Sequence, residues 1–203
     1  MQTNNKTARL ILASSSVYRR ELLGRLRLDF ESMAPDLDEA PLTGESPVQT
    51  ALRLAQEKAR TIARNQPETI IIGSDQVATL DNLQIGKPGS HAAALKQLQL
   101  MRGREVAFHT ALCVLDNRLN APTPLQIQDI CTIVKFRDLS DQELDAYLHL
   151  EQPYDCAGSA KNEGLGITIL ESIKSDDPTA LTGLPLIALT GMLRNTGIRF
   201  FGI

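Results

Sequence analysis

The stretch Thr69-Ile70-Ile71-Ile72-Gly73-Ser74-Asp75-Gln76-Val77 decides how this chain folds. Three consecutive isoleucines after a threonine show no polar alternation, which marks a strand buried on both faces. Gly73-Ser74-Asp75-Gln76 then reads as the end of that strand. Open α/β sheets place their ligand crevice at the carboxyl ends of strands, so Asp75 is a candidate site residue. Asp and Ser also favour turns, and this stretch alone leaves turn and site equally open.

Upstream, Arg9 to Ala13 is a short apolar strand, followed by Ser14-Ser15-Ser16, a cluster that stops strands and caps helices. A helix begins at Val17, with Leu22, Leu23 and Leu26 on one face. Arg19 and Arg20 fall in its first turn, against the positive end of the helix dipole, where Asp or Glu would be more stable. Their placement fits an anion such as phosphate, held jointly by the serines, the helix N-terminus and the arginines. Leu28 to Met33 is a second strand candidate. Pro35-Asp36-Leu37-Asp38-Glu39 offers three carboxylates, either to a hard cation such as Mg²⁺ or simply to water. Ser46-Pro47 opens a long helix to about Asn65, and Lys58 falls where its pattern leaves a residue exposed.

Downstream, Val77 to Leu80 and Leu83 to Ile85 flank Asp81-Asn82 as a hairpin. It leads to Gly86-Lys87-Pro88, a rigid setting for a lysine that lacks the Walker pattern. Ser90 caps a helix from His91 to Met101, which puts His91 on the surface. Glu105 to Leu115 and Leu125 to Phe136 read as long strands, with His109 a structural residue inside the first. Ser140 caps a helix from Asp141 to about Leu150. Cys156 to Gly166 has glycines and no hydrophobic period, and presents Lys161 and Glu163. Thr168 to Lys174 is a strand, Asp176 to Gly183 a loop, and Pro185 opens a final helix to about Asn195.

The chain has 203 residues, 42% hydrophobic and 22% charged, enough to bury a core in one large domain or two small lobes. A net charge of −3 gives no basic excess for a nucleic-acid polymer. The three scattered cysteines form no zinc pattern and fit a reducing cytosol. The polar N-terminus and the short run Leu10 to Leu12 suit neither a signal segment nor a membrane span, so a cytoplasmic protein without membrane partner is expected. No nucleophile elbow and no dinucleotide fingerprint are present. Several basic groups and a strand-end carboxylate in an acidic protein suit a small polyanion, such as a triphosphate with its metal.

In this order and spacing, several short motifs carry a family likeness from Leu10 to about Leu193. They are Leu12-Ala13-Ser14-Ser15-Ser16-Val17-Tyr18-Arg19-Arg20, Asp38-Glu39, Ala55-Gln56-Glu57-Lys58-Ala59, Gly73-Ser74-Asp75-Gln76-Val77, Gly86-Lys87-Pro88, Gly158-Ser159 through Glu163-Gly164, and Gly183-Leu184-Pro185-Leu186. The chain resembles the Maf family of nucleotide pyrophosphatases. The resemblance implies an α/β fold, a single domain over residues 1–203 whose mixed sheet and flanking helices form two lobes around a central cleft, similar to inosine-triphosphate pyrophosphatases. It implies hydrolysis of a nucleoside triphosphate to the monophosphate and pyrophosphate, with a divalent cation, Mg²⁺ or Mn²⁺. By the same resemblance Asp75 looks like the proton acceptor, Ser14, Arg19, Lys58 and Lys87 like phosphate-binding residues, and Glu39 like a metal contact. A homodimer is implied by the resemblance alone.

Val17 departs from a frequent proline in the opening motif. Tyr18, Gln76 and Glu163 stand where the pyrimidine-preferring branch tends to carry arginine, threonine and glutamine, and together look like the branch that hydrolyses 7-methyl-GTP. The chemistry is consistent, because a tyrosine face attracts the cationic N7-methylguanine and a carboxylate accepts from its N1–H and amine. The alternatives are a dTTP- and UTP-preferring house-cleaning pyrophosphatase, and a nucleotide-binding regulator of cell division without turnover.

Overall fold

The computed structural model describes residues 8–81 and 83–201; Asn82 of the expected hairpin and the polar segment Met1 to Lys6 lie outside them. The elements in order are β1 (Arg9–Ala13), α1 (Val17–Gly24), β2 (Glu31–Met33), α2 (Pro47–Ala63), β3 (Thr69–Leu80), β4 (Leu83–Ile85), α3 (His91–Met101), β5 (Glu105–Asp116), β6 (Leu125–Phe136), α4 (Asp141–Glu151), β7 (Leu170–Lys174) and α5 (Leu186–Asn195). Short 3₁₀ turns at Ala157–Ser159 and Leu165–Ile169 precede β7. Ser46 and Ser140 each cap their helix reciprocally with the residue three positions on, Gln49 and Glu143, which satisfies two otherwise orphaned N–H groups per helix. The second strand is shorter than its apolar residues suggest. Leu28 and Phe30 turn into a hydrophobic cluster instead of joining the sheet.

One seven-stranded mixed sheet, in the order β2-β1-β3-β5-β6-β7, has β4 paired to β3. Its centre is β3, which runs unbroken through Gly73 for 12 residues and does not end at Asp75. What ends there is its neighbour. Parallel pairing with β1 stops at Leu12 opposite Ile72, and antiparallel pairing with β4 begins only at Ala78 opposite Ile85. Along the other edge β5 pairs continuously from Ile70 to Thr79. Residues 73–77 therefore lack a strand partner on one edge, and this gap is the floor on which a site can form. The switch-point logic applied to Asp75 holds for the termination of β1 rather than of its own strand.

Strand alternation assigns the two faces. Ile71 and Val77 pack with Ala51, Ala55 and Ala59 of α2, whereas Ile70 and Ile72 pack with Leu22 and Leu23 of α1 and Leu189, Met192 and Leu193 of α5. Gly73 and Asp75 share the α2 face by the same period. The alanines at i, i+4 and i+8 let α2 lie close to the strand. A Cβ at Gly73 would sit 2.1 Å from the Ala55 carbonyl oxygen and 3.1 Å from the Ala59 Cβ. Relieving that overlap means shifting helix backbone, so Gly73→Ala is expected to destabilise the protein by about 3 kcal/mol. In a thermal melt this appears as a Tm loss of roughly 10 °C; an unchanged Tm would refute the close approach.

Candidate active site

Lys58 projects from α2 onto the strand face that the alanines bring near. Its stem is buried and its ammonium donates to Asp75 Oδ1 at 2.6 Å, leaving the residue 5% exposed rather than out in solvent. The same ammonium lies 2.9 Å from Glu39 Oε1, in the acidic loop after β2. Two carboxylates thus converge on one cation. Asp75 Oδ2 has no hydrogen-bond partner among the described residues and is the oxygen left to the cleft.

The opposite face of β3 holds a loop in place. Ser74 Oγ lies 2.9 Å from the carbonyls of both Ala111 and Gly183. Gln76 Nε2 donates to Thr110 Oγ1 and to the carbonyls of Ala180 and Leu181. Those bonds occupy the amide N–H groups, so Gln76 presents only its oxygen to a ligand. Arg19 Nε donates to the Gly183 carbonyl at 2.9 Å. The residues from Ala180 to Gly183, which carry no periodic signal, are thereby a wall of the site. Gly183 adopts φ +105°, which places its carbonyl between Arg19 and Ser74 and strains any side chain there.

The end of β1 supplies the third wall. Ser16 Oγ accepts from the Arg19 N–H as the cap of α1, and Ser14 Oγ accepts from the Ser16 N–H. The first-turn N–H groups of such a helix point at whatever lies before it, and here that is the cleft. Burial lowers the Arg19 guanidinium's pKa, a shift opposed by the charges of Asp75 and Glu39.

These walls enclose a cleft of about 760 Å³, the size of a small-molecule site. Ser14, Tyr18, Arg19, Glu39, Lys58, Asp75, Gln76, Lys87 and Glu163 all line it, so the nine residues to which the family resemblance gave a role meet at one place, whereas Arg20, Asp36 and Asp38 do not line it. Lys87 stands exposed after β4, and Glu163 is exposed in the loop following the Ala157–Ser159 turn. Tyr18 is half-buried. Its hydroxyl's pKa is pushed up chiefly by burial and further by the carboxylates of Asp155 and Glu163, against the pull of Lys161. Lys161 Nζ is 3.8 Å from Asp155 Oδ1. Asp155, Asn162 and Thr182 were not legible as site residues, because only the folded loop brings them to the cleft. Burial pushes the Cys156 thiol up to about 12, which leaves no thiolate for covalent catalysis.

The family described as Maf-like protein matches residues 9–196. The chain belongs to the Maf family. Within it, the chain is 66% identical over 193 residues to the 7-methyl-GTP pyrophosphatase of Cupriavidus metallidurans, covering 95% of this chain and 96% of that protein. It is 63% identical over 192 residues to the protein of the same name from Ralstonia nicotianae, covering 95% and 97%. Among solved structures, the nucleoside-triphosphatase (dITP/XTP pyrophosphatase) of Mycobacterium abscessus is 18% identical with a TM-score of 0.45, covering 92% of this chain and 97% of that one. The Maf motifs of the chain, from Ser14 through Gly183, are the segments that wall the cleft. Among the described residues no helix is long and apolar enough to cross a membrane.

Proposed function

We propose that the protein hydrolyses 7-methyl-GTP to 7-methyl-GMP and pyrophosphate. The observation that carries the reading is the polarity of the cleft. Around Asp75 it gathers Lys58, Glu39 and the buried Arg19, and Lys87 adds a third cation to the lining. Around the Tyr18 ring it has the carboxylates Asp155 and Glu163, with Lys161 beside them. A substrate with anionic phosphates at one end and a cationic base at the other complements both. The relatives named for this reaction, at 66% and 63% identity, support the same substrate.

In this reading water attacks the α-phosphorus and Asp75 Oδ2 accepts its proton. A new P–O bond forms, the bond to the bridging oxygen breaks, and pyrophosphate leaves with that electron pair. Lys58 keeps the other Asp75 oxygen in place and, with Arg19, Lys87 and Ser14, balances charge building on the phosphates. Asp75 and Glu39 bring two carboxylates to one part of the cleft, a donor set that suits a hard divalent ion. Those two residues would hold Mg²⁺ or Mn²⁺, which supplies further neutralisation of the phosphates when bound. Tyr18 and Glu163 read the base; Gln76 acts on the same choice by fixing the Ala180–Leu181 backbone.

We read the chain as one domain of two lobes on either side of the cleft. The apolar cluster of α3, α4 and Phe136 on one side is distinct from those around α1, α2 and α5 on the other. A small-molecule partner, a cytosolic location and a homodimer complete the proposal.

The test is pyrophosphate release from a panel of nucleoside triphosphates. Activity confined to dTTP and UTP would refute the base assignment while leaving the class intact, and binding without pyrophosphate at any metal would refute the class. Glu163→Gln is expected to lower kcat/KM for 7-methyl-GTP by about 10- to 100-fold, since one charge-assisted hydrogen-bonding partner is lost. Equal kcat/KM in that variant would remove Glu163 from base recognition.

A further inference from the structure

Two of the chain's three histidines lie together, away from the cleft. His91 is the first residue of α3, and Asp145 and His149 stand one turn apart near the end of α4. His91 Nε2 is 2.7 Å from Asp145 Oδ1, and His149 Nε2 is 3.5 Å from Asp145 Oδ2. One ligand atom from each of the three falls within 4.8 Å of the others. From these residues we propose a second metal site, independent of the catalytic proposal, that takes a borderline divalent ion such as Zn²⁺ on His91, Asp145 and His149.

Three observations carry it. The first is the orientation of His91. Its Nδ1 lies 3.0 Å from Tyr154 Oη, so the ring is held from behind, and its Nε2 is turned to Asp145 Oδ1 at 2.7 Å, where displacing a shared proton opens both atoms to an ion. A metal-bound histidine has this arrangement, with its second nitrogen donating to an outer acceptor that fixes the ring. The second is spacing. The three ligand atoms lie within 4.8 Å of one another, so side-chain adjustment reaches the separation of roughly 3.3 Å that bonds of about 2.0–2.1 Å to a tetrahedral ion set. The third is placement. The His149 side chain is 70% exposed and the His91 and His149 rings are tilted 36° at 4.6 Å, so an ion can enter from solvent and keep one position for water.

Two imidazoles and one carboxylate favour Zn²⁺ and its neighbours over Mg²⁺, which prefers oxygen alone. An ion here ties the start of α3 to the end of α4. Through Tyr154, whose carbonyl accepts from the Gly89 N–H, it also steadies the residues that lead into the Asp155 wall of the cleft.

Calorimetric titration of the full chain with Zn²⁺, repeated with Co²⁺ to read its visible absorption, tests the site. The expected result is one equivalent bound by the wild type and by an Asp75→Asn, Glu39→Gln protein. His149→Ala loses that equivalent, whereas Tyr154→Phe, acting only on the outer partner, weakens it about tenfold. Zn²⁺ in hundredfold excess over its dissociation constant raises Tm by about 5 °C in the wild type and not in His149→Ala. Turnover supported by Mg²⁺ is unchanged in His149→Ala. The proposal is overturned if no equivalent binds, if His149→Ala binds as the wild type does, or if the equivalent is lost with the cleft carboxylates instead. Failure of pyrophosphate release leaves it untouched.

Discussion

Asp75→Asn is expected to lower kcat about 10³-fold while leaving KM for the triphosphate within a few-fold of the wild type. A general base positioned for proton transfer contributes about 10²- to 10⁴-fold, and an amide in the same place cannot accept the proton. The substitution keeps an oxygen for the Lys58 ammonium, which also retains Glu39 at 2.9 Å. The fold should therefore survive, with a Tm loss of no more than about 5 °C. Pyrophosphate release measured at saturating metal and substrate isolates the chemical step from binding. A kcat equal to that of the wild type, in a protein with an unchanged far-UV spectrum, would sink Asp75 as the base. A loss seen only in KM would instead make it a binding group.

Much of the scaffold was readable because its signals are local. The capped helices at Ser46, Ser90 and Ser140 begin where their serines place them, and β5 and β6 span the two long apolar runs. The limit was reached where a residue's surroundings come from a distant segment. Gly73 looks like a strand breaker in sequence, but it is a contact point for the Ala55 carbonyl, and the strand continues through it. Lys58 sits at a polar position of the helix pattern, yet α2 approaches β3 so closely that its ammonium is buried against Asp75. His91 reads as a surface residue from its place in the first turn of α3; Asp145 and Tyr154, which hold its two nitrogens, lie over 50 residues away in sequence. The open edge at residues 73–77 depends on where β1 and β4 pair, a matter of register that no single stretch encodes. All nine candidate residues nevertheless converge on the cleft, because the motifs that carried them are the ones that bend around this edge.

Lys58→Met separates the charge of this lysine from its stem. Methionine preserves the apolar stem against the α2 face of the sheet and deletes the ammonium. Asp75 and Glu39 then face the same point with no directly paired cation, only the more distant Arg19, and Asp75 is only 6% exposed. Breaking a buried ion pair from one side costs about 3–5 kcal/mol, so the metal-free variant should melt roughly 10 °C below the wild type. In the proposed reaction the missing cation also serves the phosphates, and kcat/KM is expected to fall about 10²- to 10³-fold. Metal affinity should move the other way. In the proposed site the ammonium and a divalent ion compete for the charge of the same two carboxylates, so its removal strengthens their hold on that ion. Mg²⁺ or Mn²⁺ should then recover much of the lost Tm, with half-maximal effect at a lower concentration than the wild type needs. Melts across a metal titration, read beside initial rates, separate three cases. Recovery by metal with lost turnover is the expected pair. A Tm loss that metal does not repair would make Lys58 a structural cation and place the ion elsewhere. Unimpaired kcat/KM would take Lys58 off the phosphates altogether.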